Sequence, residues 1–206
     1  MPMRCLSVIK YLPLVIISVF LVSCEKDDNE HHFSAMQERT YCEAISGTYD
    51  ANTIIASLDM KSDVVFKDTI NTKIHISNGE DKSITFYGIP LSGLANVVAD
   101  DSKLHEIFSQ LGSCDISFNY DLSEGADETV SMTLDGDKRM YSFITKEHNV
   151  KMTMESNTML SFPLTADMDA VRKTLKEHTF NLDVYNLTID NQANENYRIL
   201  ILTKIN

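Results

Sequence analysis

Tryptophan is missing from this 206-residue chain, so any core must be built from Tyr, Phe, Ile, Leu, Val and ten Met. Basic residues are few: 18 Lys and Arg face 30 Asp and Glu, a formal charge of −12. That shortage excludes nucleic acid as a partner, because phosphates demand a basic face. It also weakens direct docking on anionic lipid headgroups. No apolar run reaches the roughly 20 residues that a membrane-spanning helix needs. Gly-x-Ser-x-Gly is absent, and no Cys/His pair has the local support of a nucleophilic dyad. The sequence therefore offers no catalytic residue, no cofactor motif and no metal site; an enzyme would have to assemble its site from distant positions.

What is present starts with a leader. Arg4 and Lys10 precede an apolar stretch from Tyr11 to Val22, and a small residue, Ser23, stands before Cys24. A basic start, a short apolar segment and a small residue at the cut are the marks of a secretory signal. Leu21-Val22-Ser23-Cys24 resembles the bacterial lipobox, in which the cysteine becomes the lipidated N-terminus. That resemblance implies acyl chains, palmitate among them, on Cys24. At about 0.8 kcal/mol per buried methylene, more than one chain makes a lasting anchor. Lys26-Asp27-Asp28 resembles the surface-export signal of Bacteroidetes lipoproteins, which implies outer-membrane anchoring and display on the cell surface. A plain solvated tether explains the same charges, since like charges extend a linker. The chain thus reads as a leader (1–23), an acidic tether (24–40) and one globular domain (41–206).

Removal of Arg4 and Lys10 with the leader takes the formal charge to −14, which suits solubility outside the cell. Of the four cysteines, Cys5 leaves and Cys24 is taken by lipid. Cys42 and Cys114 remain and could pair in an oxidising compartment, stabilising by about 4 kcal/mol in the chain-entropy model. Two separate buried thiols are the alternative.

Along the domain, Ile70, Thr72, Ile74 and Ile76 alternate up to Asn78-Gly79, and Ile84, Phe86 and Gly88 continue beyond it, with Thr85 and Tyr87 on the opposite face. Period and turn chemistry predict a hairpin. Leu104, Ile107, Phe108 and Leu111 predict a helix over about 102–111, and Met168, Val171 and Leu175 another over about 167–178. Strands are expected over 115–122, 130–134 and 150–154, and again over 180–189 and 197–203. Asp135-Gly136 signals a second hairpin, continued by Tyr141 and Phe143. Ile199-Leu200-Ile201-Leu202 is apolar on both faces, which predicts a central strand. Pro90-Leu91-Ser92 and Pro163-Leu164-Thr165 each precede a helix and a return strand, which suggests two similar strand-helix-strand halves. The fold class is α+β, an antiparallel β-rich domain with two helices.

Other chemistry stays bland. His31 and His32 sit in the tether, which fixes no metal geometry. Asp115, Asn119 and Asp121 share one strand face, where alternate positions lie almost 7 Å apart, too far for a calcium shell without a second segment. His75, His105, His148 and His178 are scattered. Asp68-Thr69-Ile70 resembles the O-glycosylation site of exported Bacteroidetes proteins, which implies a glycan on Thr69.

Taken together, the lipobox, the acidic tether, the size and a β-rich domain opening at Ser46-Gly47-Thr48-Tyr49 resemble the uncharacterised small lipoproteins of Bacteroidetes. Some of those fold as calycin-like barrels, which makes such a barrel the alternative fold. The resemblance implies no activity. Two function classes follow: a surface binding module for a glycan, a protein or a small apolar ligand, and a periplasm-facing accessory subunit of an envelope complex. A hydrolase without a recognisable motif is the third.

Overall fold

Alternation of apolar and polar residues at period two runs through most of the domain, and it yields eleven strands among the described residues. The computed structural model describes residues 33–58, 64–98, 101–136, 138–156, 158–194 and 198–206. Helix α1 (Ala35–Ile45) opens the domain, followed by β1 (Gly47–Leu58), β2 (Val64–Ser77) and β3 (Ser83–Pro90). A 3-10 turn and the short α2 (Leu94–Val97) lead into α3 (Ser102–Ser109). Then come β4 (Ser113–Glu124), β5 (Thr129–Leu134), β6 (Arg139–Ile144), β7 (Asn149–Ser156) and β8 (Met159–Pro163). Helix α4 (Met168–Glu177), β9 (Thr179–Ile189), β10 (Gln192–Asn194) and β11 (Arg198–Ile205) complete it.

The sheet is antiparallel throughout, in the order β6-β7-β9-β11-β1-β2-β3-β4-β5-β8, with β10 beside β9. Chain connectivity forces it to curl. Strands β7 and β8 stand eight positions apart in that order, yet only residues 157 and 158 separate them. In a flat sheet eight spacings span about 38 Å, whereas three residue steps reach about 10 Å. The two margins are therefore brought together. Thr158 forms the seam: its carbonyl accepts from Leu134 N of β5 at 3.3 Å, and its hydroxyl accepts from Asn181 N of β9 at 3.0 Å.

The concave side of the curl is filled with side chains. Phe86, Phe118, Phe162 and Phe180 are fully buried, as are Ile74, Ile84, Met152 and Met154. Phe86 packs edge-on against both Phe118 and Phe180. One polar thread crosses this interior, where the Thr53 hydroxyl lies 2.8 Å from that of Thr72 and 2.9 Å from that of Thr203. Three neighbouring strands thus satisfy each other's buried hydroxyls, and Thr72 also donates to Ala51 O. The β-rich reading stands, and the curl gives it a half-barrel character.

Four expectations change. Residues 35–40 belong to α1, so the expected tether to residue 40 overlaps the folded domain. Ser34 and Gln37 close a capping box at its start, and Tyr41, Cys42, Ala44 and Ile45 bury its far end. Asp135-Gly136 makes no hairpin: β5 pairs with β4 and β8, while β6 pairs with β7. That connection instead crosses from one margin of the curled sheet to the other. The two Pro-Leu turns differ in outcome, since β3 pairs with its return strand β4, whereas β8 and β9 are not neighbours. Among the described residues four helices stand where two are expected. Strand β11 is central, as its two-sided apolarity required, lying between β9 and β1.

Candidate functional site: the outer face of β1, β2 and β3

Because rings fill the concave side, chemistry is presented on the convex one. There the register aligns side chains in rows. Asp50 on β1 lies opposite Lys73 on β2, and Lys73 lies opposite Tyr87 on β3. Asn206 extends the row beyond β1, its backbone N donating to Asp50 O at 2.9 Å. The next row holds Lys204, Asn52 and Asn71. On the other side stand Thr48, His75, Thr85 and Ser117, where Thr48 bonds His75 and Thr85 bonds Ser117. Neighbours across strands are about 4.8 Å apart and successive rows about 7 Å.

Tyr87 is the exposed aromatic among the described residues, at 40 %; the other exposed large apolar side chains are Met and Ile. Its exposure has a backbone cause. The register of β3 against β4 shifts between Phe86 and Ile89, and Gly88 takes a φ of +66°. Asp115 holds this bulge by accepting from Gly88 N at 2.8 Å. Bulges of this kind re-aim a side chain, and a left-handed φ favours glycine at 88. A depression of about 590 Å³ follows, lined by Asp50, Asn71, Lys73, Tyr87, Gly88 and Asn206. Within the described residues no hydrogen bond occupies the side chains of Asp50, Asn71 or Lys73, while Asn52 Nδ2 donates to Asn206 Oδ1 at 2.6 Å. The face therefore offers a ring, a carboxylate, an ammonium and several amides to solvent.

Two further depressions flank α1. One, of about 490 Å³, lies between α1 and the β8–α4 turn and includes Met36, Tyr41, Leu164 and Met168. Tyr41 closes its floor, donating to Pro163 O at 2.7 Å and accepting from Thr165 N at 2.9 Å. The other, of about 410 Å³, holds Cys42, Glu38 and Lys82. Lys82 pairs with Glu38 and, at 3.5 Å, with Asp121. That contact with Glu38 raises the Lys82 pKa. Burial pushes the Cys42 thiol and, more strongly, the Tyr120 hydroxyl upward. A thiol so disposed stays protonated and is a poor nucleophile.

The residues singled out from sequence are distributed as follows. Leu21, Val22, Ser23, Cys24, Lys26, Asp27, Asp28, His31 and His32 lie outside the described residues. Cys42 and Cys114 are both free, which agrees with two separate thiols and not with a pair. Cys42 sits against Tyr120, and Cys114 lies six residues earlier on β4, about 20 Å along the strand. A disulfide needs Cα atoms within about 7 Å. Burial, with the Asp115 carboxylate beside it, pushes the Cys114 thiol to about 12. Thr69 is exposed, on the same outer face of β2 as Asn71 and Lys73. Asp115 and Asp121 serve the bulge and Lys82 rather than a shared cation. Among the described residues no cluster of three His, Cys, Asp or Glu is placed to hold a metal.

The histidines are tied into local structure: His105 to Ala95 O at 2.9 Å, His148 to Asp190 at 2.7 Å, and His178 edge-on to Phe180. In the sequence Tyr87 falls on the polar face of its strand, where alternation alone gives it no role. The overlooked signal was an aromatic at a polar-facing position directly before a glycine.

Comparison with known proteins adds a family and little else. The family model described as Domain of unknown function (DUF4840) matches residues 44–189, over two thirds of the chain. No curated protein and no solved structure matches it.

Proposed function

For a chain that belongs to the DUF4840 family, whose function is unknown, we propose a non-catalytic glycan-binding module, anchored to the outer membrane through lipid on Cys24 and displayed at the cell surface. The observation that carries the binding reading is the row Asp50–Lys73–Tyr87, set in register across three strands and ending on an exposed ring. A pyranose has an apolar face of C–H groups, which an exposed aromatic covers, and a rim of hydroxyls. Each hydroxyl both donates and accepts, and so suits amides, a carboxylate and an ammonium together. Sites that combine apolar surface with a few convergent polar groups are the usual form of small-ligand recognition. The opposed charges of Asp50 and Lys73 leave the row near neutral, which fits an uncharged sugar.

The test is native affinity electrophoresis of the soluble domain through gels containing mannan, xylan, β-glucan or starch. Retardation by at least one polysaccharide, lost in Tyr87→Ala with the melting temperature unchanged, is the expected result. Normal migration in all of them would sink the reading. For the anchor, Cys24→Ala releases the protein from the membrane fraction, and protease shaving of intact cells removes the wild type.

A second reading is favoured by the depression beside α1, where Met36 is 81 % exposed at the rim. An accessory subunit would cover such a patch with an apolar segment of an envelope partner. Met36→Asp then abolishes crosslinking to that partner without touching polysaccharide binding.

A further inference from the structure

We infer that the ligand is an internal stretch of an extended, equatorially linked polysaccharide lying across the strands, with about one sugar over each of β3, β2 and β1. This rests on the glycan reading of the same face. Strand spacing in a sheet is about 4.8 Å, close to the length of one pyranose along a straight glycan. Residues along a strand recur on one face only every 7 Å or so, a poor match to that repeat. A chain running with the row therefore meets a new side chain at every sugar: Tyr87, then Lys73, then Asp50, then Asn206. A chain running along β2 would meet Asn71, Lys73 and His75 out of step with its units.

The ends of the row support an internal stretch over a chain terminus. At the β3 end Gly88 leaves open space, with nothing within 4 Å of where a side chain would begin. At the other end Asn206 is exposed. The chain can continue in both directions. Straight, ribbon-like glycans keep their rings over such a row, whereas axially linked, coiling ones leave the surface after one or two units.

The test is titration calorimetry with defined β-1,4-linked gluco-, manno- and xylo-oligosaccharides of one to six units, on wild type and three variants. Affinity is expected to rise about tenfold per unit up to three or four units and then level off, as further units find no partner. Tyr87→Ala weakens every length. Asn206→Ala weakens only the tetrasaccharide and longer, because the shorter ligands do not reach it. The variant His75→Ala, on β2 but outside the depression, leaves the length dependence unchanged. A monosaccharide binding as tightly as the hexamer overturns the crossing while leaving the glycan site intact. So does a length dependence lost in His75→Ala and kept in Asn206→Ala. No heat with any oligosaccharide overturns the glycan reading and this inference together.

Discussion

Thr53 shows how much a single buried hydroxyl can hold. It lies within hydrogen-bond distance of both Thr72 and Thr203, and all three are buried. Replacement by valine keeps the shape but strands the Thr203 hydroxyl, while Thr72 keeps its weaker bond to Ala51 O. Thr53→Val is expected to cost about 1–3 kcal/mol, the range for an unsatisfied buried polar group, read from urea unfolding.

His178 makes a pH prediction. Burial lowers its pKa below the ordinary 6.5, so the folded state binds its proton less readily than the unfolded chain. Above pH 6.5 both states are neutral and the residue contributes nothing. As pH falls below 6.5 towards the folded value, unfolding takes up a proton and stability drops. Wild type is expected to lose more stability than His178→Phe between pH 7 and pH 5. Equal losses in parallel denaturant titrations would remove His178 as the cause. Asp190 works in the opposite range. The Asn149 N–H, then His148, hold its carboxyl below 3.8, so its stabilising effect is present above that value and fades as pH falls through the folded one.

Among the elements, α1 was the hardest to read and β4 carries the least obvious support. Helix α1 buries only its C-terminal half, and the composition of Ala35-Met36-Gln37-Glu38-Arg39 blends with the charged residues before it. No apolar stripe marks such a segment. The Ser34-x-x-Gln37 capping box was its one local signature. Ser34→Ala is expected to cost about 1 kcal/mol, measured as a lower urea midpoint. Helices α3 and α4 were legible because Leu104, Ile107 and Phe108, and Val171 and Leu175, fall on single faces and are buried. Strand β4 pairs with β5 only from Tyr120 onward, leaving its first half open on that side. Tyr141 of β6 supplies a side-chain contact in place of a strand, its hydroxyl meeting the backbone of Ser117. Asp135 does the same for Asn119 N at 3.1 Å. Tyr141→Phe should therefore speed hydrogen exchange of the Ser117 amide while leaving Phe118, paired inside the sheet, protected.

At the scale of the molecule, the decisive feature is that consecutive strands part company. Chain order predicts β5–β6 pairing, and Asp135-Gly136 has the right residues for the turn. Yet β5 is taken by β4 and β8, and β6 by β7. The separation of Cys42 from Cys114 follows from the same long-range arrangement, since one thiol lies against the late part of β4 and the other at its start. Both thiols are expected to react with iodoacetamide only after unfolding, without reductant. A non-reduced Cys42–Cys114 peptide in the digest would contradict the fold at this point. Removal of residues 1–32 should leave the domain folded by circular dichroism, whereas removal through residue 45 should unfold it. The second cut takes Tyr41 and Ile45 out of the core.

Local period and the burial of apolar faces made most strands, helices α3 and α4 and many inward-facing residues legible in the sequence, whereas α1, with no apolar stripe, was not. The sequence also placed the central strand, since two-sided apolarity has no other use. Which strand pairs with which, where the sheet's margins meet, and that Asp50, Lys73 and Tyr87 stand in one row were settled by the packed fold. Those outcomes depend on contacts between residues tens of positions apart. Pairing partners compete through backbone hydrogen bonds that look alike in every strand, and the packing of the whole interior selects among them.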